Sequence, residues 1–248
     1  MSLYKNRIVI TGGNGRFGKI FRKNQLKYKY KFYFPSKKEL NILKFSSIKK
    51  YLSKTKPKYL IHLAGLSRPM SIHERNIADS INKNIIGTAN ITKACSEKNI
   101  KLIYVSTCYV YPGIKGNYDE NSPVLPINNY AWSKLGGESS VQMYKNSLIL
   151  RLSMTDFPFI HKKALKGAYS SFMYNKTISK IIPYILDEKG VLNIGGKKRE
   201  IFNFAKKFGN KKILPIKLEK INNFPKDSSI DIKKLKRILK VNKIKVEL

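Results

Sequence analysis

The sequence predicts an α/β fold with a doubly wound parallel sheet and a small interleaved C-terminal lobe. Three observations support this. Short β-branched or aromatic runs alternate with longer helical patterns over the first two-thirds of the 248 residues. The runs are almost continuously apolar, as in parallel strands that are buried on both faces. A glycine-rich turn follows the first run, where such sheets bind ligands.

The elements of this part alternate along the chain. Five predicted strands, rich in Ile, Leu, Val, Tyr and Phe, cover residues 8–11, 32–34, 59–63, 102–106 and 148–152. Four predicted helices with periodic apolar positions cover residues 17–27, 47–54, 77–98 and 130–144. This alternation predicts a cofactor-binding domain over residues 1–153.

The alternation weakens after Arg151. The stretch Phe157-Pro158-Phe159, the pair Gly195-Gly196 and Pro215 are predicted to interrupt it, and residues 230–239 form a predicted amphipathic helix. We therefore expect a smaller substrate-binding lobe over residues 154–248, partly interleaved with the sheet.

The composition is strongly basic, with 50 Lys+Arg against 15 Asp+Glu and a formal charge of +35. Such a charge indicates either an anionic partner or a compositional bias that also enriches Lys, Ile, Asn and Tyr. The lysines are spread along the chain without a long basic block, which favours the bias and predicts no specific nucleic-acid partner.

Other features indicate a cytoplasmic protein. The two cysteines, Cys95 and Cys108, have no metal-like spacing, which is typical of a reducing compartment. The three histidines, His62, His73 and His161, indicate no metal site. No stretch approaches the ~20 apolar residues of a membrane span, so no membrane partner is expected. A strand-like segment begins by Arg7, and we expect no signal peptide before it.

The turn after the first strand contains Gly12, Gly15 and Gly18. Glycines at a strand-to-helix turn let the backbone approach a pyrophosphate, and the helix N-terminus attracts its charge. The context favours a dinucleotide site of the Rossmann type over a plain turn. No acid ends the second strand at the place that NAD-preferring sites use. Instead Ser36 and Lys37, together with Arg16 in the turn, could hold a 2′-phosphate. The prediction is NADPH, with NADH left open.

A Tyr-x-x-x-Lys pair on a helix places a phenol and an ammonium on one face. The ammonium favours the phenolate and makes the tyrosine a usable proton donor to a carbonyl near neutral pH. The pattern occurs three times here, but only Tyr130 and Lys134 lie in a helix-compatible stretch. Upstream, a predicted strand ends at Thr107, whose hydroxyl could bond the same carbonyl. Thr107, Tyr130 and Lys134 are therefore the candidate catalytic residues.

These residues resemble the extended short-chain dehydrogenases/reductases that act on nucleotide sugars. Residues 11–18 resemble the family's glycine turn, residues 62–65 its strand-end element, and Asn84 its helix asparagine. The resemblance implies that Lys134 also holds the nicotinamide ribose. The implied cofactor-binding residues are Gly12, Asn14, Gly15, Arg16, Phe17, Gly18, Ser36, Lys37, Ala64, Gly65, Leu66, Asn84, Tyr130 and Lys134. The implied substrate-binding residues are Ser67, Arg68, Thr107, Cys108, Tyr109, Tyr130 and Met154.

Several segments are similar to the dTDP-4-dehydrorhamnose reductases within this family, among them residues 36–42, 106–113 and 225–231. Asn41 and Cys108 depart from that pattern, since both stand where those enzymes have an aspartate. The stretch Leu66-Ser67-Arg68-Pro69 is similar to the bifunctional epimerase/reductases that form UDP-rhamnose. The resemblance implies NADPH-dependent reduction of the C4 keto group of a 4-keto-6-deoxy nucleotide sugar, with Tyr130 as the proton donor.

Alternatives remain open on the sequence. A 3,5-epimerase/4-reductase or a 4-epimerase would use the same scaffold. In epimerising relatives a cysteine lies two residues after the triad hydroxyl, and here that position is Tyr109. Because Cys108 comes one residue early, the register favours plain reduction. A non-catalytic dinucleotide-binding or nucleic-acid-binding protein is the alternative of another class. The sequence leaves the nucleotide, the sugar and the choice between monomer and homodimer open.

Overall fold

The computed structural model describes residues 6–24, 30–209, 212–221 and 223–246. The chain forms two compact units, each made of three separate stretches. The first unit comprises Met1–Ser106, Ser133–Leu150 and Ile182–Val191, and the second comprises Thr107–Trp132, Arg151–Ile181 and Leu192–Leu248.

Twelve strands are found in the part of the chain that the structure describes. They are β1 (Arg7–Thr11), β2 (Lys31–Tyr33), β3 (Tyr59–His62), β4 (Lys101–Thr107), β5 (Ser147–Leu152), β6 (Met154–Thr155), β7 (Lys163–Lys166), β8 (Tyr169–Ser170), β9 (Met173–Tyr174), β10 (Gly190–Ile194), β11 (Arg199–Glu200) and β12 (Leu214–Lys217).

Six of these strands form the main sheet, in the order β10-β5-β4-β3-β1-β2. Strand β1 pairs in parallel with both β2 and β3, and β3 pairs in parallel with β4. In the sheet, β2 lies on one side of β1 and β3 lies on the other, so the strand order reverses direction at β1. The carboxyl ends of β1 and β3 therefore flank the point where open α/β sheets bind ligands. The predicted doubly wound α/β fold is confirmed.

The helices follow the predicted alternation. Those in the described ranges are α1 (Arg16–Asn24), α2 (Phe45–Thr55), α3 (Ile72–Arg75), α4 (Ile77–Ser80), α5 (Gly87–Glu97), α6 (Asn129–Gln142), α7 (Asn175–Ile181), α8 (Ile201–Phe208) and α9 (Lys233–Val241). The predicted helix at 77–98 is a run of α4, a π-helical segment Ile81–Ile86 and α5. Of the predicted helix at 17–27, residues 25–27 lie outside the described residues. No helix in the described part of the chain is both long and apolar enough to cross a membrane.

The core of the first unit forms between the sheet and its helices. Val9, Leu60 and Leu102 lie at the centres of β1, β3 and β4, and they pack with Leu52 of α2 and Ile91 of α5. All five side chains are almost fully buried. The continuous apolar runs of the sequence thus correspond to strands that are covered by helices.

The second unit contains three two-stranded sheets, which pair β11 with β8, β12 with β7, and β6 with β9. Pro215 was expected to interrupt the regular structure but lies within β12, opposite Ala164 of β7. A two-stranded sheet accepts proline because one edge of each strand needs no N–H donor. The predicted helix at 230–239 begins only at Lys233, because Ile230 forms a β-bridge with Tyr118.

Candidate active site

The glycine turn connects β1 to α1, which begins at Arg16. Gly12 has a φ of +72°, and a Cβ atom there would lie 2.6 Å from the backbone nitrogen of Ala64. A Cβ atom on Gly18 would overlap the Gly12 carbonyl and lie 2.6 Å from the Cα atom of Gly13. Only glycine therefore fits at these two positions. A turn of this kind, free of side chains and followed by a helix N-terminus, is what a pyrophosphate site needs.

The tip of the turn is held by contacts that the sequence did not indicate. The Gly15 N–H donates to the Gly12 carbonyl at 2.9 Å, which closes the turn. Arg22 donates to the Asn14 side-chain oxygen at 3.1 Å. The Arg22 guanidinium also lies 4.7 Å from the centre of the Phe34 ring. Arg22 thus positions Asn14, although only Asn14 was among the predicted cofactor residues.

The first helical residues differ in exposure. Arg16 is exposed at the first position of α1, close to the turn. Phe17 is buried, and its ring makes an edge contact with Phe21 at a centroid distance of 6.3 Å. A cofactor contact from Phe17 would therefore come from its backbone rather than from its ring.

A cavity of about 340 Å³ lies beside the glycine turn in the first unit. The segment that follows β2 supplies an apolar wall, and two lysines supply positive charge. Lys83 is one of these lysines and was not predicted, although it directly precedes Asn84 in the sequence. Its ammonium forms an ion pair with Asp79 at 2.6 Å. Its lining includes Gly12, Asn14, Gly15, Lys37, Leu40, Ile42, Leu43, Ala64, Gly65 and Lys83.

Ser36 is engaged in a local turn rather than lining this cavity. Its N–H donates to the Glu39 carboxylate at 2.8 Å, and the Glu39 N–H donates to the Ser36 hydroxyl oxygen at 3.4 Å. Hydrogen bonds to the Glu39 carboxylate, first from the Ser36 backbone and then from the Ser36 side chain, lower the pKa of Glu39 because they favour its charged form. A role of Ser36 at a 2′-phosphate stays a prediction.

Asn84 connects the end of β3 to α6. It is 1% exposed and lies in the π-helical segment. Its side-chain oxygen accepts from the Leu66 N–H at 2.7 Å, and its amide donates to the Leu66 carbonyl at 2.9 Å and to the Ser133 hydroxyl at 2.8 Å. Asn84 thereby fixes the segment that follows β3. Gly65 in this segment packs closely against Asn84, since a Cβ atom on Gly65 would lie 2.7 Å from the Asn84 side-chain oxygen.

A buried hydrogen-bonded chain runs from β1 through His62. The Thr88 hydroxyl donates to the Asn84 carbonyl at 2.7 Å, so Thr88 accepts at 3.2 Å from His62 Nε2. His62 Nδ1 then accepts from Thr11 at 2.7 Å. Burial, reinforced by the charge of Lys134, lowers the pKa of His62 to about 3. The imidazole is therefore neutral and structural.

Lys134 lies one turn after Tyr130 on α6 and is 8% exposed. Its ammonium is 4.2 Å from the centre of the Tyr104 ring, and the Tyr104 hydroxyl donates to the Lys134 carbonyl at 3.3 Å. Burial lowers the pKa of Lys134 to about 7, against the opposing effect of Glu138. An ammonium so poorly solvated interacts strongly with any charge that forms beside it.

Thr107 ends β4, and its hydroxyl oxygen accepts from the Tyr109 N–H at 3.3 Å. Tyr109 makes an edge contact with the ring of Phe224 at 5.8 Å. Cys108 is 2% exposed, and burial raises the pKa of its thiol to about 12. The thiol is therefore protonated at neutral pH, which disfavours a role as an acid/base.

The remaining predicted substrate contacts are spread over both units. Ser67 and Arg68 are exposed in the segment after β3, and Tyr130 is half-buried on α6. Met154 is half-buried in β6, opposite Met173 of β9. The glycine turn, residues 64–66, Asn84 and Lys134 all belong to the first unit, whereas Thr107, Tyr130 and Met154 belong to the second. The substrate-binding roles stay predictions.

Comparison with known proteins gives matches over different parts of the chain. Methionine adenosyltransferase 2 subunit beta of Xenopus laevis is 32% identical over 154 residues, which are 59% of this chain and 46% of that protein. GDP-L-colitose synthase of Yersinia pseudotuberculosis is 26% identical over 212 residues, which are 80% of this chain and 68% of that protein. The chain thus spans about half the length of the first of these relatives.

Among solved structures, dTDP-4-dehydrorhamnose reductase from Bacillus anthracis in complex with NADP superposes with a TM-score of 0.83 at 24% identity, over 98% of this chain and 95% of that one. This match shows that the two chains share a fold. The family model described as the RmlD substrate binding domain matches residues 6–155, which is more than half of the sequence. The chain therefore belongs to the RmlD substrate binding domain family, within the extended short-chain dehydrogenases/reductases.

Proposed function

We propose that this protein is an NADPH-dependent reductase that converts the C4 keto group of a 4-keto-6-deoxy nucleotide sugar to an alcohol. The observation that carries the proposal is Lys134, a buried ammonium one turn after Tyr130 on α6, in the same unit as the glycine turn. The name of the Bacillus anthracis structure, a dTDP-4-dehydrorhamnose reductase in complex with NADP, also supports it.

The glycine turn fits a dinucleotide, because Gly12 and Gly18 let the turn pack directly against the backbone of Ala64 and Gly13, at the N-terminus of α1 where a pyrophosphate would be held. The adjoining cavity of about 340 Å³ would accept the adenosine end, with Lys37 and Lys83 as candidates for a 2′-phosphate. The absence of an acid at the end of β2 also favours NADPH over NADH. When bound, NADPH supplies the hydride.

The protein side chains supply the proton and the electrostatic stabilisation. Tyr130 donates its phenolic proton to the keto oxygen, and Thr107 donates a hydrogen bond to the same oxygen. Lys134 stabilises the phenolate that remains on Tyr130, and it also binds the nicotinamide ribose. We assign cofactor binding mainly to residues 1–153 and substrate binding mainly to residues 154–248, with a cytoplasmic location. Monomer and homodimer are both compatible with this function.

The test is NADPH oxidation with a 4-keto-6-deoxy sugar nucleotide, which compares the wild type with Tyr130→Phe. Loss of the proton donor should lower kcat roughly 100-fold or more. Tyr184→Phe, which changes an exposed tyrosine on the 3₁₀ turn Ile182–Tyr184, is the matched control and should turn over normally. Equal turnover by Tyr130→Phe and the wild type would refute the role of Tyr130. Product NMR in deuterated water separates plain reduction from epimerisation, which exchanges ring protons at C3 or C5.

A second candidate is a dinucleotide-binding subunit without turnover. It is supported by the relatives at up to 32% identity, whose name denotes a subunit of methionine adenosyltransferase 2. Binding of NADPH with no oxidation across a panel of keto sugar nucleotides would favour this candidate. Nucleic-acid binding through the charge of +35 is tested by a salt titration, in which loss of affinity by physiological salt marks a nonspecific effect.

A further inference from the structure

Glu138 is a buried acid that the proposed chemistry does not use. It lies one turn after Lys134 on α6 and is 3% exposed. Residues four apart on a helix share a face, with their Cβ atoms about 5–6 Å apart. A carboxyl group buried to this degree needs a partner, because an isolated buried charge is costly.

Ser106 supplies one such partner, since its hydroxyl donates a hydrogen bond to Glu138 Oε1. Ser106 and Tyr104 are two residues apart on β4, so their side chains point to the same face of the strand. Tyr104 contacts Lys134, and Ser106 contacts Glu138. Two neighbouring side chains of one strand therefore hold two neighbouring side chains of α6.

The charges around Lys134 come from several elements. His62 of β3 is neutral, because its pKa is lowered to about 3. His73 of α3 also has a lowered pKa, chiefly through burial, with Glu74 opposing and Lys134 reinforcing this shift. Glu138 is the group that favours the charged form of Lys134. The negative charge of Glu138 therefore raises the pKa of Lys134, against the lowering that burial causes.

We propose that Glu138 is a positioning residue that keeps the Lys134 side chain in its ammonium form, and that Ser106 holds the Glu138 carboxylate in place. This inference deepens the proposed function, since it rests on Lys134 as the charged partner of Tyr130. Lys134 assists proton donation by Tyr130 only as long as its side chain stays protonated at the pH at which the protein works.

The sign of the expected pH effect follows from the charge. A neighbouring carboxylate raises the pKa of an ammonium, so removal of the carboxylate should lower it. The ammonium of Lys134 would then be lost at a lower pH. Because proton donation by Tyr130 requires that ammonium, activity should also decline at a lower pH in a variant without the Glu138 charge.

The test measures the protonation of Lys134 directly, on the full chain without cofactor or substrate. Competitive labelling with acetic anhydride at a series of pH values, read by mass spectrometry, reports the midpoint at which Lys134 becomes reactive. The exposed Lys93 of α5 serves as the internal reference. In Glu138→Gln the midpoint of Lys134 should fall by about one pH unit.

Matched variants separate charge from packing. Glu138→Asp keeps the carboxylate and should restore the wild-type midpoint. Glu97→Gln removes an exposed carboxylate that pairs with Lys49 at 3.3 Å, and it should leave the midpoint unchanged. Glu138→Met fills the same space without charge and should reproduce the shift if Glu138→Gln does not fold. An unchanged midpoint in the folded charge-removing variants would overturn the proposal.

Ser106→Ala tests the hydrogen bond, because it leaves the Glu138 charge in place. Its shift should be less than half of the shift in Glu138→Gln, and an equal shift would overturn the charge assignment in favour of packing. Where the chain turns over substrate, the fall of kcat at high pH should move by the same amount as the labelling midpoint. The labelling result stands without turnover, so failure of the proposed reductase activity is distinguishable from failure of the Glu138 assignment.

Discussion

Replacement of Asn84 by alanine should destabilise the first unit through the loss of three hydrogen bonds. The side chain bonds both backbone groups of Leu66, at 2.7 and 2.9 Å, and the Ser133 hydroxyl at 2.8 Å. Each such bond contributes about 1 kcal/mol net, and bonds within a buried site contribute at the upper end of their range. Asn84→Ala should therefore lower the free energy of unfolding by roughly 3–4 kcal/mol.

Urea unfolding followed by circular dichroism measures this change. Asn90→Ala on α5 is the matched control, because Asn90 donates a single hydrogen bond, to the Ile42 carbonyl at 3.0 Å. Its cost should be about 1 kcal/mol. Asn84→Asp keeps the acceptor for the Leu66 N–H and removes the donors, so its loss of stability should also exceed that of Asn90→Ala. A loss in Asn84→Ala no larger than in the control would refute the assignment of Asn84 as the connection between β3 and α6.

Two further changes test the proposed cofactor site. Gly12→Ala combines a strained φ of +72° with a Cβ atom 2.6 Å from Ala64, and it should cost about 2–3 kcal/mol in unfolding free energy and abolish NADPH binding. Gly167→Ala has a similar φ of +84° but open space around it, so it should cost only about 1 kcal/mol; equal costs for the two would contradict the overlap. Lys83→Ala should raise the Kd for NADPH about fivefold and leave that for NADH nearly unchanged, in calorimetric titrations. Lys93→Ala is the control, because it removes one positive charge outside the cavity. An equal rise of the Kd for NADPH in Lys93→Ala would show that net charge, and not the position of Lys83, causes the loss of affinity.

Local features of the sequence determined much of the fold. Apolar runs and glycine spacing predict the parallel sheet and the turn at Gly12, because strand burial and backbone freedom depend on residues that are adjacent in the chain. The same holds for Tyr130 and Lys134, since helical periodicity places them one turn apart. Helical periodicity also places Glu138 on the same face as Lys134, because it lies four residues later on the predicted helix.

The contacts that hold the candidate site were decided by the tertiary structure. Asn84 bonds Leu66 and Ser133, which are 18 and 49 residues away, and Ser106 bonds Glu138 across 32 residues. Such pairs depend on the register of a strand against a helix, and no local pattern encodes it. The position of Lys83 in the cavity depends on the same packing. Local sequence patterns thus specify which residue types are available for the chemistry, whereas the packing of distant segments buries some of them and holds their side chains in place.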